Sequence, residues 1–550
     1  MSAVTDARSP APELAETRAP LAGTGILLRF ALRQDRIRIP VWAVALTLGT
    51  VATAASLEGL LPTEADMRAS AEANSSPAGL ALSGPIHYVT DYNYGSMMGH
   101  QMLGFTAVLV ALMSLLMVVR HTRNEEETGR AELVRAAVVG RHAYLTSALL
   151  VTVLANLLVA ALFALSLGPL RADGYTWGGA VLYGAAHAAV GIFFAAVAAV
   201  TAQISAHARG ASGMAGAVLG IAYVLRAVGD IDADALSWMS PIGWAQRTYV
   251  YVDDRWWPLL IALAAAAAAA AAGYALSVRR DVGAGLRPPR QSRPAASGLL
   301  VRPEGFALRL HRGLLIGFGT GMLVLGAAYG GVLAEVEDMV GSIEAIQEAL
   351  AELGGASLVD AFAAMVMLPI SVIAAVYAAL AAQRPRSEET SGRAEPLLST
   401  ALSRTRWVSS HLVVVLGGSV GMLLVAGLAF GLAGAASTGD NGLILRLTGA
   451  ALVYVPALWF TAGLAVALLG WLPRAAPVVW LVPVYGFVVG YLGQLLRFPD
   501  WMNNLSPFGH LPQVPAESMN WLPVLILTAL AAALIAFGLA GFRRRDLETK

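Results

Sequence analysis

The sequence predicts an all-α polytopic membrane protein, with twelve transmembrane helices arranged as two parallel six-helix repeats. Three observations predict it. Of 550 residues, 57% are hydrophobic and only 13% are charged, with a mean hydropathy of +0.64, whereas soluble domains carry about 25% charged residues. Apolar runs recur along the chain, many as long as the ~20 residues that cross a bilayer core. One block of charged residues also occurs twice, 263 positions apart.

Composition excludes several functions at once. The net charge of +1 gives no global field for nucleic acid. Cysteine is absent, which removes disulfides, thiolate metal sites and cysteine catalysis. Lysine occurs once, at Lys550. A phosphate-binding loop of the Walker type and a Schiff base both need an internal lysine, so the chain has no ATP site of its own.

Residues 1–25 read as a disordered cytoplasmic tail, rich in Ala, Pro, Glu and Arg and without a cleavable signal. Residues 26–38 alternate apolar and basic positions at helical spacing, as an interfacial helix does; a basic flank that snorkels gives the same pattern. Spans follow at about 40–60, 101–119, 144–168, 178–204, 211–227, 256–278, 313–334, 361–382, 408–435, 444–471, 475–496 and 521–542. Small residues abound in them, as between packed membrane helices. The pairs Gly216/Gly220, Gly317/Gly321, Gly326/Gly330 and Gly417/Gly421 have the spacing for close approach.

Arginine placement orients the spans. With both termini in the cytoplasm, 30 of the 37 basic residues fall inside, and Arg68, Arg171, Arg226, Arg247, Arg255, Arg446 and Arg497 fall outside or near the outer face. The outer segments are acidic instead, as at Asp230, Asp232, Asp234, Asp253 and Asp254.

The chain repeats itself. Glu125-Glu126-Glu127-Thr128-Gly129-Arg130-Ala131-Glu132 returns as Glu388-Glu389-Thr390-Ser391-Gly392-Arg393-Ala394-Glu395, and Arg141 returns as Arg404. Phe30-Ala31-Leu32-Arg33 matches Phe306-Ala307-Leu308-Arg309, and Ser240-Pro241-Ile242-Gly243 matches Ser506-Pro507-Phe508-Gly509. Three matches in one order mean a duplicated six-span unit, both copies starting on the same side. The halves are 26–282 and 305–550, joined by a Pro/Arg-rich cytoplasmic linker at 283–304.

In each half the acidic block lies between the second and third spans. Carboxylates at its start and arginine at its end suit a short helix and its dipole, with Leu133, Val134, Ala137 and Val138, then Leu397, Leu398, Ala401 and Leu402, as an apolar side. Such an element presented twice is a docking surface for a two-fold partner. Topology alone needs only the arginines, so the duplicated carboxylates favour docking.

Arg123 through Arg141, Glu388 through Arg404, and Trp407 with Ser410-His411-Leu412 carry a resemblance over essentially the whole chain. It resembles the permease subunit of an ABC-2-type exporter, the fused twelve-span actinobacterial kind that exports polyketide antibiotics (tetronasin-type). That resemblance implies the ABC-2-type transmembrane fold in the bacterial cytoplasmic membrane. It implies two copies of a separate ATPase subunit, which bind the ATP and Mg, so this chain needs no cofactor. It makes residues 125–137 and 388–400 coupling helices, with Glu125, Glu126, Gly129, Arg130, Glu132 and Arg141, and Glu388, Glu389, Gly392, Arg393, Glu395 and Arg404, at the ATPase seats. Pro396 replaces Leu133 in the second copy, so that helix starts later or kinks. The cargo implied is a hydrophobic antibiotic or drug. Lipid export is the alternative, and an ion-coupled multidrug transporter a further one.

An ion-coupled transporter buries ionisable groups in its spans. Trimmed of their ends, these spans hold none but His187, which reads better as a hydrogen-bonded packing residue than as a proton carrier. Gly417-Gly418-Ser419-Val420-Gly421 imitates a nucleophile elbow inside an apolar helix, without the strand that motif requires. Asp230-Ile231-Asp232-Ala233-Asp234 imitates a calcium loop but has Ala235 and Pro241 where glycine and glutamate belong. Each outer Ser-Pro-x-Gly turn lies between tryptophans and predicts a short re-entrant or interfacial helix, serving as exit gate or as anchor. Tyr92, Tyr94, Met97, Met98, Met102 and Phe105 are the candidate pathway lining, adaptable side chains that helix packing uses equally.

Overall fold

The computed structural model describes residues 20–135, 139–280, 283–286, 295–334, 358–492 and 499–546. Among these residues the secondary structure is helical throughout. Twelve helices are long and apolar enough to cross a membrane: Arg38–Leu60, Tyr94–Glu127, Ala143–Leu167, Trp177–Ile204, Ala208–Ile231, Trp257–Ser277, Pro303–Gly331, Val359–Thr390, Arg404–Thr438, Gly442–Trp471, Pro473–Gly490 and Trp521–Arg544. They are called the first to twelfth spans below. The chain forms two compact units, 1–291 and 292–550.

In the first unit the fourth span is the hub and packs on the second, third and sixth. The apolar windows of its second and fourth spans are 67% and 72% buried, and the eighth and tenth spans of the second unit repeat both values. Helices surrounded on all sides need apolar residues all round, and the mean hydropathy of 2.6 in the second span meets that need. In the second unit the ninth span packs on the seventh, and the tenth on the twelfth.

Several elements depart from expectation. The expected tail lies outside the described residues as far as 19. From Pro20 the chain is ordered, because the carbonyls of Pro20 and Ala22 accept from the amides of His142 and Gly140 at 3.0 and 2.9 Å. The first helix then runs Thr24–Gln34. The helical paths of the second and eighth spans do not stop at the charged blocks but run on to Glu127 and Thr390, the eighth with a one-residue turn at Gln383. The tenth span breaks between Leu452 and Val455, where Pro456 starts a new helix; its counterpart, the fourth span, is unbroken.

Of the four glycine pairs, only Gly326/Gly330 is a close-packing pair: a Cβ there would meet the carbonyl oxygens of Ala426 and Phe430 at 2.3 and 2.4 Å. At Gly216, Gly220, Gly317, Gly321, Gly417 and Gly421 a Cβ would meet nothing within 4 Å.

Candidate functional site

The two charged elements are built alike. The first comprises short helices Glu125–Glu127 and Arg130–Arg135, the second Arg384–Thr390 and Ala394–Leu398. Between the two helices of each pair the chain reverses at Gly129 and Gly392, with φ of +72° and +71°, a left-handed conformation that glycine adopts without strain. Their amides close the turns on the carbonyls of Glu126 and Glu389.

The carboxylates do not face outward as one surface. Glu125, Glu126, Glu388 and Glu389 are all buried. Glu125 pairs with Arg130 at 3.6 Å and Glu388 with Arg393 at 3.1 Å, so the first glutamate of each block is held by the arginine of its own element. The second glutamate reaches further. Glu126 accepts from Arg280 at 2.7 and 3.0 Å and from Arg123 at 2.8 Å. Glu389 accepts from Arg545 at 2.7 and 2.6 Å. Buried carboxylates need charged partners, and this chain supplies them itself, so four of the expected docking carboxylates are turned to their own protein.

What remains exposed is Glu127, Arg130 and Glu132 in the first element, and Arg393 and Glu395 in the second. Glu127 is engaged by His207 Nδ1 and by the Ala208 amide, both at 3.0 Å, and so caps the start of the fifth span. Glu132 and Glu395 are both exposed, at equivalent positions of the two elements. Arg141 is exposed and borders a polar cavity of about 250 Å³ with Thr122, Tyr144, Gln203 and Arg280. Arg404 instead donates to the Arg545 carbonyl at 2.8 Å. The apolar positions expected at 133, 134, 137 and 138 lie outside the residues whose side chains are described. In the second element Leu398 and Leu402 pack inward on a small core with Trp407, Leu412 and Phe542. Pro396 sits in the first turn of its helix, where no amide hydrogen is needed; that helix begins one residue later than its counterpart.

The six pathway candidates do not share a surface. Met97 and Met98 are fully buried, whereas Phe105 is 57% exposed. Met102 is half-buried. The Tyr94 hydroxyl donates to the Leu61 carbonyl at 2.8 Å, and Tyr92 accepts from Gln101 at 2.9 Å. Burial pushes the Tyr92 hydroxyl up to about 12. An apolar groove of about 680 Å³ lies elsewhere in this unit, between Ala160 and Ala164 of the third span, Ala185 and Ala189 of the fourth, and Trp257 and Leu260 of the sixth.

His187 lies within hydrogen-bond distance of Thr106 Oγ1 and the Tyr183 carbonyl. Asp230 is taken by Arg247 at 3.2 Å, Ser237 at 2.6 Å and Arg226 at 3.7 Å, so its carboxylate is an arginine partner rather than a calcium ligand. Only the first Ser-Pro-x-Gly copy forms a helix, Pro241–Gln246, with Ser240 as its cap; the second is a run of turns after a short helix at Asp500–Asn503.

The same family model, described as "Multidrug efflux system permease Rv1217c, C-terminal domain", matches residues 27–276 and 300–543. The multidrug efflux system permease protein Rv1217c of Mycobacterium tuberculosis (strain ATCC 25618 / H37Rv) is 41% identical over 558 residues, covering 100% of both chains. This chain belongs to that permease family. Both segments matched by the permease model end just before the arginines that hold the second glutamates. The reading of the charged blocks missed Arg280 and Arg545, yet a signal was present. Arg279-Arg280-Asp281 and Arg544-Arg545-Asp546 close the sixth spans of the two halves, 265 residues apart, beside blocks 263 apart.

Proposed function

We propose that this chain is the membrane-spanning permease subunit of an ATP-driven exporter of hydrophobic antibiotics or drugs. Membership of the multidrug efflux permease family supports the export of drugs. The single observation that carries the ATP-driven reading is the charged element built twice with the same internal pairing: Glu125 with Arg130, and Glu388 with Arg393. Two alike elements, each leaving an arginine and a carboxylate exposed, suit two copies of one ATPase subunit. With no internal lysine, the chain lacks the residue a phosphate-binding loop uses, so the ATP and its Mg belong to that partner.

In this reading both termini and both charged elements are cytoplasmic, and the halves are the two repeats of an ABC-2-type exporter, akin to the polyketide-exporting kind. Alanines, leucines and two tryptophans line the 680 Å³ groove, and apolar pockets of this character take greasy molecules with few polar anchors.

The test is copurification with the ATPase, followed by drug-stimulated ATP hydrolysis and uptake into inverted vesicles. Two ATPases per permease and ATP-dependent drug uptake are expected. Another ratio counts against fused halves. Unchanged susceptibility across hydrophobic antibiotics, with ATP-dependent lipid movement, replaces drug export with lipid export.

A further inference from the structure

We propose that Arg280 and Arg545 are positioning residues: each fastens the charged element of its own half to the foot of that half's sixth span, through Glu126 and Glu389, so that element and span move as one body during transport. The proposal rests on the reading of these elements as ATPase seats.

The geometry is the same in both halves. Each arginine follows the last helix of its unit, and each meets its glutamate through both terminal nitrogens, one to each carboxylate oxygen. Such a fork fixes direction as well as distance. Both pairs are withdrawn from water, with side chains 7% and 2% exposed in the first and 13% and 2% in the second. Further bonds gather other spans to the same points. Arg280 Nε donates to Gln203 at 2.6 Å, and Arg123 Nε to the Ala202 carbonyl at 3.0 Å, which brings in the end of the fourth span. In the second unit Arg404, at the start of the ninth span, holds the Arg545 carbonyl.

Stability alone does not explain such a pair, because apolar residues of similar size hold a fold equally well or better. Topology does not explain it either, since an arginine sets orientation without a buried carboxylate to receive it. The fork does what neither requires: it ties the short element, which runs on from its half's second span, to the foot of that half's sixth span as well.

The test uses the full chain expressed with its ATPase and carrying R280M and R545M together, with R280K and R545K as the conservative variant. Drug efflux is measured against drug concentration, alongside the amount of permease in the membrane and hydrogen exchange at 125–135 and 384–398. The methionine variant should keep its half-saturating drug concentration while its maximal rate falls about tenfold, and exchange in both elements should rise. Lysine keeps the charge but loses the fork, so it should recover part of the rate. A merely structural role shifts half-saturation with the rate, or lowers membrane abundance in the lysine variant as well, and either result overturns the proposal. So does a maximal rate within twofold of the unmodified chain, or unchanged exchange in both elements. If the methionine variant does not reach the membrane, the lysine variant decides on the same two readouts. If the unmodified chain exports drug with no ATPase bound, the seat reading fails, and the exchange and rate measurements still judge the fastening.

Discussion

Arg393 Nε lies 3.1 Å from the buried Glu388 carboxylate, while the neighbouring Glu395 stands exposed two residues beyond that arginine. The first element repeats the arrangement with Arg130, Glu125 and exposed Glu132. The repeated acidic residues therefore divide into two kinds. Those at the start of each block hold the element to its own protein, and the last of each block stays exposed, where the proposed ATPase would meet it.

Reversing charge at the last kind should separate binding from folding. E132K with E395K is expected to leave membrane insertion and thermal stability within about 0.5 kcal/mol of the unmodified chain, as surface substitutions do, while drug efflux falls by tenfold or more. Efflux at the unmodified rate removes docking from these two positions.

How far the sequence spoke follows from which physical signal was in play. Span number and placement were legible because bilayer thickness imposes a length on every apolar run. The duplicated blocks were legible because their spacing survives as a string. What the string could not give is which side of Glu126 or Glu389 faces inward, since a carboxylate on a short helix reads alike whether it meets water or a buried guanidinium. The same limit separates Met97, fully buried, from Phe105, largely exposed, eight positions along one helix. It also separates Gly330, where an added methyl would strike the Phe430 carbonyl, from Gly317, where one would meet nothing within 4 Å.

That difference between glycines gives a stability prediction. G330A forces a methyl group within 2.4 Å of the Phe430 carbonyl and 2.7 Å of the Ala433 side chain. Overpacking of this kind costs about 1–3 kcal/mol, read as a lower melting temperature in detergent. G317A meets no neighbour within 4 Å and should hold or gain up to about 1 kcal/mol through better helix propensity. Equal effects at the two sites contradict the packing of the ninth span on the seventh.

His142 supplies a pH dependence. Burial, and then the nearby Arg141 charge, hold its imidazole below the ordinary histidine value of 6.5, and its ring stands edge-on to Tyr274 at 5.4 Å. A depressed histidine favours the neutral form in the folded state. Its contribution is therefore present above about pH 6.5 and is lost as the pH falls toward the folded value. Between pH 8 and pH 5 the unmodified chain should lose more melting temperature than H142Q does. Parallel losses remove His142 as the source.

Topology is best tested where the protein leaves room for a label. The absence of cysteine makes the chain a clean background, but the two glycines of the Ser-Pro-x-Gly turns are poor sites. A Cβ at Gly243 would meet the Ser237 carbonyl at 2.1 Å, and one at Gly509 the Asn503 carbonyl at 2.4 Å. Met239 and Leu505, just before each turn, are 66% and 69% exposed. On the proposed orientation M239C and L505C should react with a membrane-impermeant maleimide added to whole cells. R130C and R393C, on the two charged elements, should react only after the membrane is opened. A cysteine at 239 that labels only in opened cells inverts the first unit, and one at 505 inverts the second. Because the charged element of that unit must then lie outside as well, either result removes that element from any cytoplasmic ATPase.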